Sequence, residues 1–343
     1  MLLFDRYLCL ISDHMGAPCR ACIDICPTGA FSVKGGRIRF EEPRCTACGG
    51  CVGGCPTEAM ALEGFDEDHF ALVFSQSGQT RLSCRENTPC LAVFGAEHLA
   101  VMALRGKGEI VCDLAHCEGC EHNRDNRLQA QTSTQIQTAN GLLEELGFAP
   151  SIGMQSAKTE GDRRGFFKKL FHTAVKTAVR SENEHKPVDS AVTPVPKRRI
   201  LLQNTLAGLD FAKLGALKSP LIADRAVSDA CTACGECVRI CPTRALSWAD
   251  GGAALTLQAD RCVDCELCAG VCKPGAIIRP ETIDARAYVR RESKTLKTFT
   301  FIECDTCGTP FAALPGVRTC EPCRAYAQDF GDMFTPAWKL EQS

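Results

Sequence analysis

The sequence predicts an α+β multidomain protein, and two observations carry this prediction. The chain of 343 residues contains 25 cysteines, which fall into four separate groups along its length. One turn-then-strand unit recurs within two of these groups, with the sequences CPTGAF, CPTEAM, CPTRAL and CKPGAI. Cysteines at such spacings in a chain without a secretory signal indicate metal binding. We therefore expect several small metal-binding domains in series.

Composition and charge exclude several classes of protein. The net charge of −2 gives no sign of a nucleic-acid partner, which would require clustered Lys and Arg. The N-terminal stretch MLLFDRYLCLISDH lacks the basic leader, apolar segment and cleavage site of a signal peptide, and no run approaches a transmembrane span. The odd number of cysteines argues against a disulfide framework. We therefore predict a cytoplasmic protein without a transmembrane segment.

Residues 1–66 are predicted to form the first domain, which contains a complete ligand run for a [4Fe–4S] cluster. Its spacing is C-x2-C-x2-C-x3-C-P, in which three thiolates bind one cluster and the fourth binds a neighbouring cluster. The cysteines of this run are Cys45, Cys48, Cys51 and Cys55. Such runs occur in pairs, whereas structural zinc uses two separated pairs of ligands.

The partner run in this domain is incomplete, because Gly16 stands where its first cysteine would be. Pairing the two runs gives one complete ligand set: Cys26, Cys45, Cys48 and Cys51. The other set lacks one ligand and contains Cys19, Cys22 and Cys55. We predict Cys9 as the missing ligand, because its ten-residue offset from Cys19 is a loop that closes at small entropic cost. The alternatives are a [3Fe–4S] cluster, ligation by Asp13 or His14, and Cys9 as an ordinary buried thiol.

Residues 67–150 are predicted to form a small α/β cysteine-rich domain. The pattern favours strands at HFALVFS and EIVCDL, a helix at AEHLAVMALR and another helix over about residues 124–146. Its cysteines are Cys84, Cys90, Cys112, Cys117 and Cys120. Both cysteine groups follow predicted strands, and ligands collect beyond the carboxyl ends of strands in an open α/β sheet. We therefore expect the two groups to meet.

The metal of this domain is predicted to be an additional iron–sulfur cluster. The x4, x2 spacing after Cys112 resembles plant-type [2Fe–2S] ligation, although the fourth cysteine precedes the run. The segment is also distantly similar to the small iron–sulfur subunit of methyl-viologen-reducing hydrogenases, through its cysteine-rich GC…C…N tip and the helix ending near LLEELG. Zinc and redox-active thiols are the alternatives, and His116 and His122 are predicted as surface residues rather than ligands.

Residues 151–199 are predicted to be a linker with a basic amphipathic helix, RRGFFKKLFHTAVKTAVR. We expect this helix to pack on the protein's own domains, with a partner protein or a membrane surface as alternatives. The sequence DRRGFFK resembles a twin-arginine export motif, but it lies far from the N-terminus and no uncharged apolar stretch follows it.

Residues 200–290 are predicted to form a second domain with two complete cysteine runs. Pairing gives one set of Cys231, Cys234, Cys237 and Cys272. The other set is Cys241, Cys262, Cys265 and Cys268. In the second run Lys273 replaces the usual proline and Pro274 follows it, a departure that could alter the turn but leaves every sulfur in place.

Segments 1–66 and 226–282 resemble the bacterial two-[4Fe–4S] ferredoxins through these runs and the repeated turn. The resemblance implies, for each segment, a small α+β fold of two antiparallel strand pairs and two short helices around two clusters. The chain would then carry four [4Fe–4S] clusters in two dicluster ferredoxin-like domains.

Residues 291–343 are predicted to form a zinc-ribbon-like tail. Two C-x2-C pairs, separated by 12 residues, suit one tetrahedral ion that supplies most of the folding energy of so short a segment. The ligands are Cys304, Cys307, Cys320 and Cys323. The first pair also resembles rubredoxin, but Arg324 stands where the second rubredoxin pair is followed by glycine, so mononuclear iron is the alternative to zinc.

The sequence thus predicts an electron-transfer protein that relays single electrons between redox partners, and we expect it to act as a subunit or partner of a larger oxidoreductase. It shows no dinucleotide-binding G-x-G-x-x-G after a strand, no P-loop and no catalytic triad, so we expect partners to perform catalysis. The alternatives are an accessory protein for the maturation of an iron–sulfur or molybdenum enzyme, and an enzyme that uses the five-cysteine region.

Overall fold

The computed structural model describes residues 1–14, 17–106, 108–149, 151–156, 193–210, 214–313 and 316–330. The predicted basic helix and most of the predicted linker lie outside the described residues, as does Gly16. Within the described ranges, no helix has the length and apolar character needed to cross a membrane.

The N-terminal segment, here called the first repeat region (residues 1–66), contains two antiparallel strand pairs and short helices. Its elements are β1 (Leu2–Phe4), α1 (Leu10–Asp13), α2 (Ala21–Ile25), β2 (Phe31–Lys34), β3 (Arg37–Phe40), α3 (Gly50–Gly54) and β4 (Met60–Leu62). The first strand pairs with the last, β1 with β4, and the inner strands β2 and β3 form a hairpin. The rings of Phe31 and Phe40 stack across this hairpin at 4.8 Å.

The middle region (residues 67–156) is a three-stranded parallel sheet with helices. Its elements are α4 (Glu67–Gln76), β5 (Arg81–Ser83), α5 (Ala96–Arg105), β6 (Ile110–Asp113), α6 (Arg127–Glu145) and β7 (Ile152–Gln155). The strand order is β5-β6-β7, and both pairings are parallel. The predicted helix at AEHLAVMALR, the strand within EIVCDL and the long second helix are confirmed.

The predicted strand at HFALVFS is wrong, because this segment lies within helix α4. Asp66 caps the helix by accepting a hydrogen bond from the His69 amide at 2.9 Å. The buried residues Phe70, Ala71 and Phe74 then share one helical face, which the alternating pattern of a strand would separate. The strand that precedes the first cysteines of this region is instead the short β5.

The remainder of the chain contains a second region with the strand pairing of the first. After α7 (Lys197–Ala207) and β8 (Ala216–Leu217), the elements are β9 (Ala226–Val227), α8 (Glu236–Arg239), β10 (Leu246–Ala249), β11 (Ala254–Gln258), α9 (Leu267–Gly270), β12 (Ile277–Ile278), β13 (Ile283–Asp284), α10 (Ala285–Arg290) and β14 (Ser293–Thr298). The outer strands β9 and β12 pair, and β10 and β11 form the inner hairpin. We call residues 226–298 the second repeat region, because β14 extends this hairpin to three strands.

The tail contains a hairpin followed by a helix. Its elements are β15 (Phe301–Glu303), β16 (Pro310–Ala312) and α11 (Glu321–Phe330). The two strands pair antiparallel, and their turn carries the first cysteine pair.

Buried apolar residues form two separate clusters. The larger cluster joins the first repeat region, the middle region, α7 and α10, where Tyr288 is fully buried. The smaller cluster is confined to the second repeat region and includes Leu246, Leu255, Leu257 and Ile277. Helix α7 and residues around β8 and α10, which the sequence assigns to the second domain, therefore pack on the larger core.

Candidate metal centres

Three of the cysteine runs share an unusual backbone geometry. In each run the residues just before and just after the second cysteine have positive φ, which is rare for residues other than glycine. These residues are Ala47 and Gly49, Ala233 and Gly235, and Asp264 and Glu266, with φ between 50° and 79°. Such turns point successive amides toward one anion. The amide of Ala47, for example, donates to Cys45 Sγ at 3.4 Å.

The four repeated turns also share one geometry. The residue three positions after the cysteine is left-handed in every copy: Gly29 (φ 61°), Glu58 (φ 53°), Arg244 (φ 52°) and Gly275 (φ 62°). In three copies the next amide donates to the cysteine sulfur, namely Ala30 to Cys26 at 3.2 Å, Ala59 to Cys55 at 3.3 Å and Ala276 to Cys272 at 3.2 Å. The copy with Lys273 and Pro274 therefore keeps the turn of the others. Hydrogen bonds of this kind tune the electronic properties of sulfur ligands.

The first repeat region brings the predicted cysteines together in two sets. The Cys9 site contains Cys9, Cys19, Cys22 and Cys55. Burial raises the pKa of Cys22, and the nearby thiolates of Cys55, Cys19 and Cys9 raise it further. Cys9 is itself buried at the start of α1. Burial also raises the pKa of Cys19, and the nearby thiolates of Cys55 and Cys9 raise it further, so these cysteines lie near one another. The side chain of Asp13 lies outside the described residues.

The Cys26 site contains Cys26, Cys45, Cys48 and Cys51, which line one cavity together with Leu2, Phe31 and Gly49. Burial raises the pKa of Cys51 strongly, and among the neighbouring thiolates Cys48 and Cys22 contribute most. Cys22 belongs to the Cys9 site, so Cys22 and Cys51 mark where the two sites of this region approach each other.

The second repeat region has the same two sets. The Cys231 site contains Cys231, Cys234, Cys237 and Cys272, and the Cys241 site contains Cys241, Cys262, Cys265 and Cys268. The four cysteines of the Cys241 site line a cavity, as those of the Cys26 site do. Burial raises the pKa of Cys237 to about 12, with contributions from Cys231 and from Cys268 of the neighbouring site.

A buried arginine accompanies the Cys241 site. Burial raises the pKa of Cys268, but the positive charge of Arg225 and a hydrogen bond from its side chain oppose this shift. The guanidinium of Arg225 also donates to Asp264 at 2.6 Å and to the Asp224 carbonyl at 2.8 Å. No sequence pattern marks Arg225, because it precedes the first cysteine of the region and follows no cluster spacing.

The middle region gathers four of its five cysteines. The middle site contains Cys84, Cys90, Cys117 and Cys120. Burial, together with the nearby thiolates of Cys84 and Cys120, raises the pKa of Cys117 to about 11. Burial likewise raises the pKa of Cys90 to about 12, and nearby thiolates include Cys48 of the Cys26 site. The two predicted cysteine groups therefore meet beyond strands β5 and β6.

Cys112 does not join these four cysteines. It lies within strand β6, opposite Leu82 of β5, and its side chain is completely buried. Burial alone raises its pKa to about 12, without a charge from another cysteine. The next residue, Asp113, ends the strand and accepts hydrogen bonds from Ser83 and Arg81 at 2.9 and 2.7 Å. Cys112 thus has the environment of a core residue.

The tail cysteines form a compact group of a different kind. The sulfurs of Cys304, Cys307, Cys320 and Cys323 all lie within 4.8 Å of one another. No other group of three or more His, Cys, Asp or Glu side chains has this spacing among the described residues. The sulfurs of Cys307 and Cys320 are 3.7 Å apart. A tetrahedral ion with metal–sulfur bonds of about 2.3 Å requires sulfur–sulfur distances of about 3.8 Å. The tail therefore fits one metal ion.

Comparison with protein families identifies one domain. Residues 230–276 match the 4Fe–4S dicluster domain, which includes both runs of the second repeat region. No curated protein and no solved structure matches the chain. The second repeat region thus contains an iron–sulfur domain of the type that transfers electrons.

Proposed function

We propose that the protein is a multicluster electron carrier that relays single electrons between redox partners. The observation that carries this proposal is the repeated cysteine turn, with its left-handed fourth residue, in both repeat regions. One of these regions matches the 4Fe–4S dicluster domain, and the other has the same strand pairing, which supports the same role for it. If the two repeat regions are equivalent, each holds two clusters and the chain holds four.

The ligand sets that we propose are those of the sequence analysis. Four [4Fe–4S] clusters occupy the Cys9, Cys26, Cys231 and Cys241 sites, one cluster in each. The proximity of Cys9 to Cys19 and Cys22 supports it as the ligand that replaces the missing cysteine. All cysteines of these four sets except Cys234 are buried or half-buried, and a positively charged iron centre offsets the electrostatic cost of placing such thiolates near one another.

We also propose an iron–sulfur cluster at the middle site and zinc at the tail site. Cys84, Cys90, Cys117 and Cys120 are the ligands of the former, and Cys112 is a structural residue. The short sulfur–sulfur distance in the tail supports a single ion there, and zinc is the usual metal of such four-cysteine sites. The partners perform catalysis in this proposal, and their chemistry is that of redox proteins.

An anaerobic redox titration of the purified protein, followed by EPR down to about −600 mV, tests the function. We expect several clusters to be reduced reversibly by one electron each and to show spin coupling between neighbours. Clusters that stay oxidised throughout, or that disassemble on reduction, would contradict electron transfer and favour the accessory role in enzyme maturation.

The middle site is tested with a matched pair of variants. Cys117→Ser should lose the iron of the middle site and its EPR signal, whereas Cys112→Ser should retain both. Equal iron loss in the two variants would contradict the assignment of Cys112 as a structural residue.

A further inference from the structure

The N-terminus of helix α7 contacts the turn that follows Cys55 of the Cys9 site. The amides of Lys197 and Arg198 donate to the Glu58 carboxylate at 2.8 and 3.0 Å. Glu58 is the left-handed residue of that turn. The negative carboxylate thus caps the positive end of the helix, so the turn of an iron–sulfur site and the start of α7 are joined.

Arg198 extends this contact to the backbone of the Cys9 site. Its side chain is 93% inaccessible to solvent, and its guanidinium donates to the carbonyls of Cys55 and Gly53. Its Nε lies 3.6 Å from the carboxylate of Glu97, which is also buried. A buried cation therefore sits against the loop that carries Cys55, held there by two carboxylates.

The next residue of the helix, Arg199, places a positive charge near Cys262 of the second repeat region. Helix α7 packs against the 3-10 turn Ala259–Arg261, which leads directly into Cys262 of the Cys241 site. Arg199 is buried and donates to the Leu221 carbonyl at 3.3 Å. Burial raises the pKa of Cys262, and the positive charges of Arg225 and Arg199 oppose this shift.

A backbone hydrogen bond also joins the segment before α7 to the Cys241 site. The amide of Thr193, shortly before α7, donates to the carbonyl of Pro242 at 2.9 Å. Pro242 follows Cys241 directly, so the segment that enters α7 contacts a ligand turn of the Cys241 site. Helix α7 and its preceding residues thus contact the Cys9 site on one side and the Cys241 site on the other.

We propose that α7 joins the two repeat regions into one electron path, in which the Cys9 and Cys241 sites are neighbours and Arg198 and Arg199 are positioning residues. This inference rests on the proposed function. In the transfer step one electron leaves a reduced cluster and reduces the other, and no bond or proton moves. A fixed cation beside each site stabilises the added negative charge in a poorly solvated environment.

The contacts within the regions then give the order of the sites. Helices α8 and α9, which carry Cys237 and Cys268, pack against each other, so the Cys231 and Cys241 sites are adjacent. Helices α2 and α3, which carry Cys22 and Cys51, also pack together, so the Cys9 and Cys26 sites are adjacent. Helix α3, which carries Cys51, packs against the 3-10 turn Leu91–Val93 that follows Cys90, so the Cys26 site adjoins the middle site. The path therefore runs from the Cys231 site through the Cys241, Cys9 and Cys26 sites to the middle site.

Redox titrations of arginine variants test the junction, by which we mean the contact of α7 with the Cys9 and Cys241 sites. In Arg199→Gln we expect the equilibrium for reducing the Cys241 cluster to fall about tenfold, which is about 59 mV for one electron. Arg199→Lys keeps the charge and should restore most of the wild-type value. Arg239→Gln is the matched control, because Arg239 is close in sequence to Cys241 but is exposed and paired with Glu236. It should titrate as wild type.

A second measurement uses the wild-type protein and does not depend on the stability of these variants. During stepwise reduction, the EPR signal of the Cys9 cluster should broaden as the Cys241 cluster becomes paramagnetic. If all clusters titrate reversibly but the two signals stay independent, and Arg199→Gln titrates as Arg199→Lys, the junction is not an electron path and the proposed function still stands. Clusters that cannot be reduced would instead overturn the proposed function itself.

Discussion

The two repeat regions share their strand pairing and their cysteine turns, but they differ in their surroundings. The first is built into the large core, where Gly50 and Gly53 of helix α3 lie against the middle region. The second surrounds a small core of its own. Gly270, which corresponds to Gly53 in the cysteine run, faces open space. The local chain therefore specifies the cysteine loops, and packing around them can vary without changing their geometry.

The largest effect should come from the proposed ligand Cys9, which lies outside the cysteine runs and has no counterpart in the second repeat region. Cys9→Ser should lose about four irons per chain, or about one if the cluster becomes [3Fe–4S]. The clusters of the second repeat region should keep their EPR signals. Iron analysis together with EPR makes the comparison, and unchanged cluster content would rule out Cys9 as a ligand.

The difference in packing predicts unequal effects of one added methyl group. In Gly53→Ala the new Cβ would lie 2.3 Å from the Ala92 carbonyl oxygen and 2.8 Å from that of Phe94. Because both obstacles are backbone, we expect the free energy of unfolding to fall by about 3 kcal/mol. Gly270→Ala has no atom within 4 Å of its Cβ and should be neutral within about 0.5 kcal/mol. Anaerobic denaturant titration measures both, and equal losses would mean that the first region is not wedged against the middle region.

The buried arginine of the second region predicts a difference in reduction potential. Removing its charge in Arg225→Gln should lower the potential of the Cys241 cluster by about 60 mV, a tenfold change for one electron. Arg279→Gln is the matched control, because Arg279 pairs with the same Asp264 but is 40% exposed. A potentiometric titration in which the two variants shift alike would assign the effect to Asp264 rather than to Arg225.

The smallest effects should be equal in the two regions. An arginine precedes the second cysteine run of each region and donates to a threonine carbonyl of the preceding turn: Arg44 to Thr28 at 2.8 Å and Arg261 to Thr243 at 2.9 Å. Arg44→Gln and Arg261→Gln should each lower the free energy of unfolding by about 0.5–1 kcal/mol. A much larger loss in one variant, seen in thermal unfolding, would show that the two turns are not equivalent.

The sequence could predict which cysteines lie near one another, because the proposed clusters take three ligands from one short loop. The proximity of Cys9 to Cys19 could be predicted because the ten-residue offset between them is long enough for the chain to fold back. Cys112 shows the limit of spacing, since its x4, x2 pattern indicates a ligand while its position on a buried strand makes it a core residue. Whether it faces the metal depends on strand register, which spacing alone does not specify.

Long-range contacts could not be predicted in the same way. Arg198 reaches residues more than 140 positions earlier in the chain, and no local pattern marks such a partner. The segment at His69 was assigned to a strand because Phe and Val favour strands, although burial at Phe70 and Phe74 follows a helical period. A weak feature was readable, however: an arginine directly before a cysteine run occurs at both Arg44 and Arg261.

Glu58 limits how far the repeated turns are interchangeable. At Gly29 and Gly275 the left-handed backbone is occupied by glycine, which adopts it without steric cost. Glu58 holds the same conformation at a cost of about 1 kcal/mol, and its carboxylate caps α7. A chimaera that carried the glycine turn at this position would keep the cysteine geometry but lose the anchor of α7. The cysteine geometry of the repeated turns is therefore interchangeable, whereas the contacts that each turn makes with the rest of the chain are not.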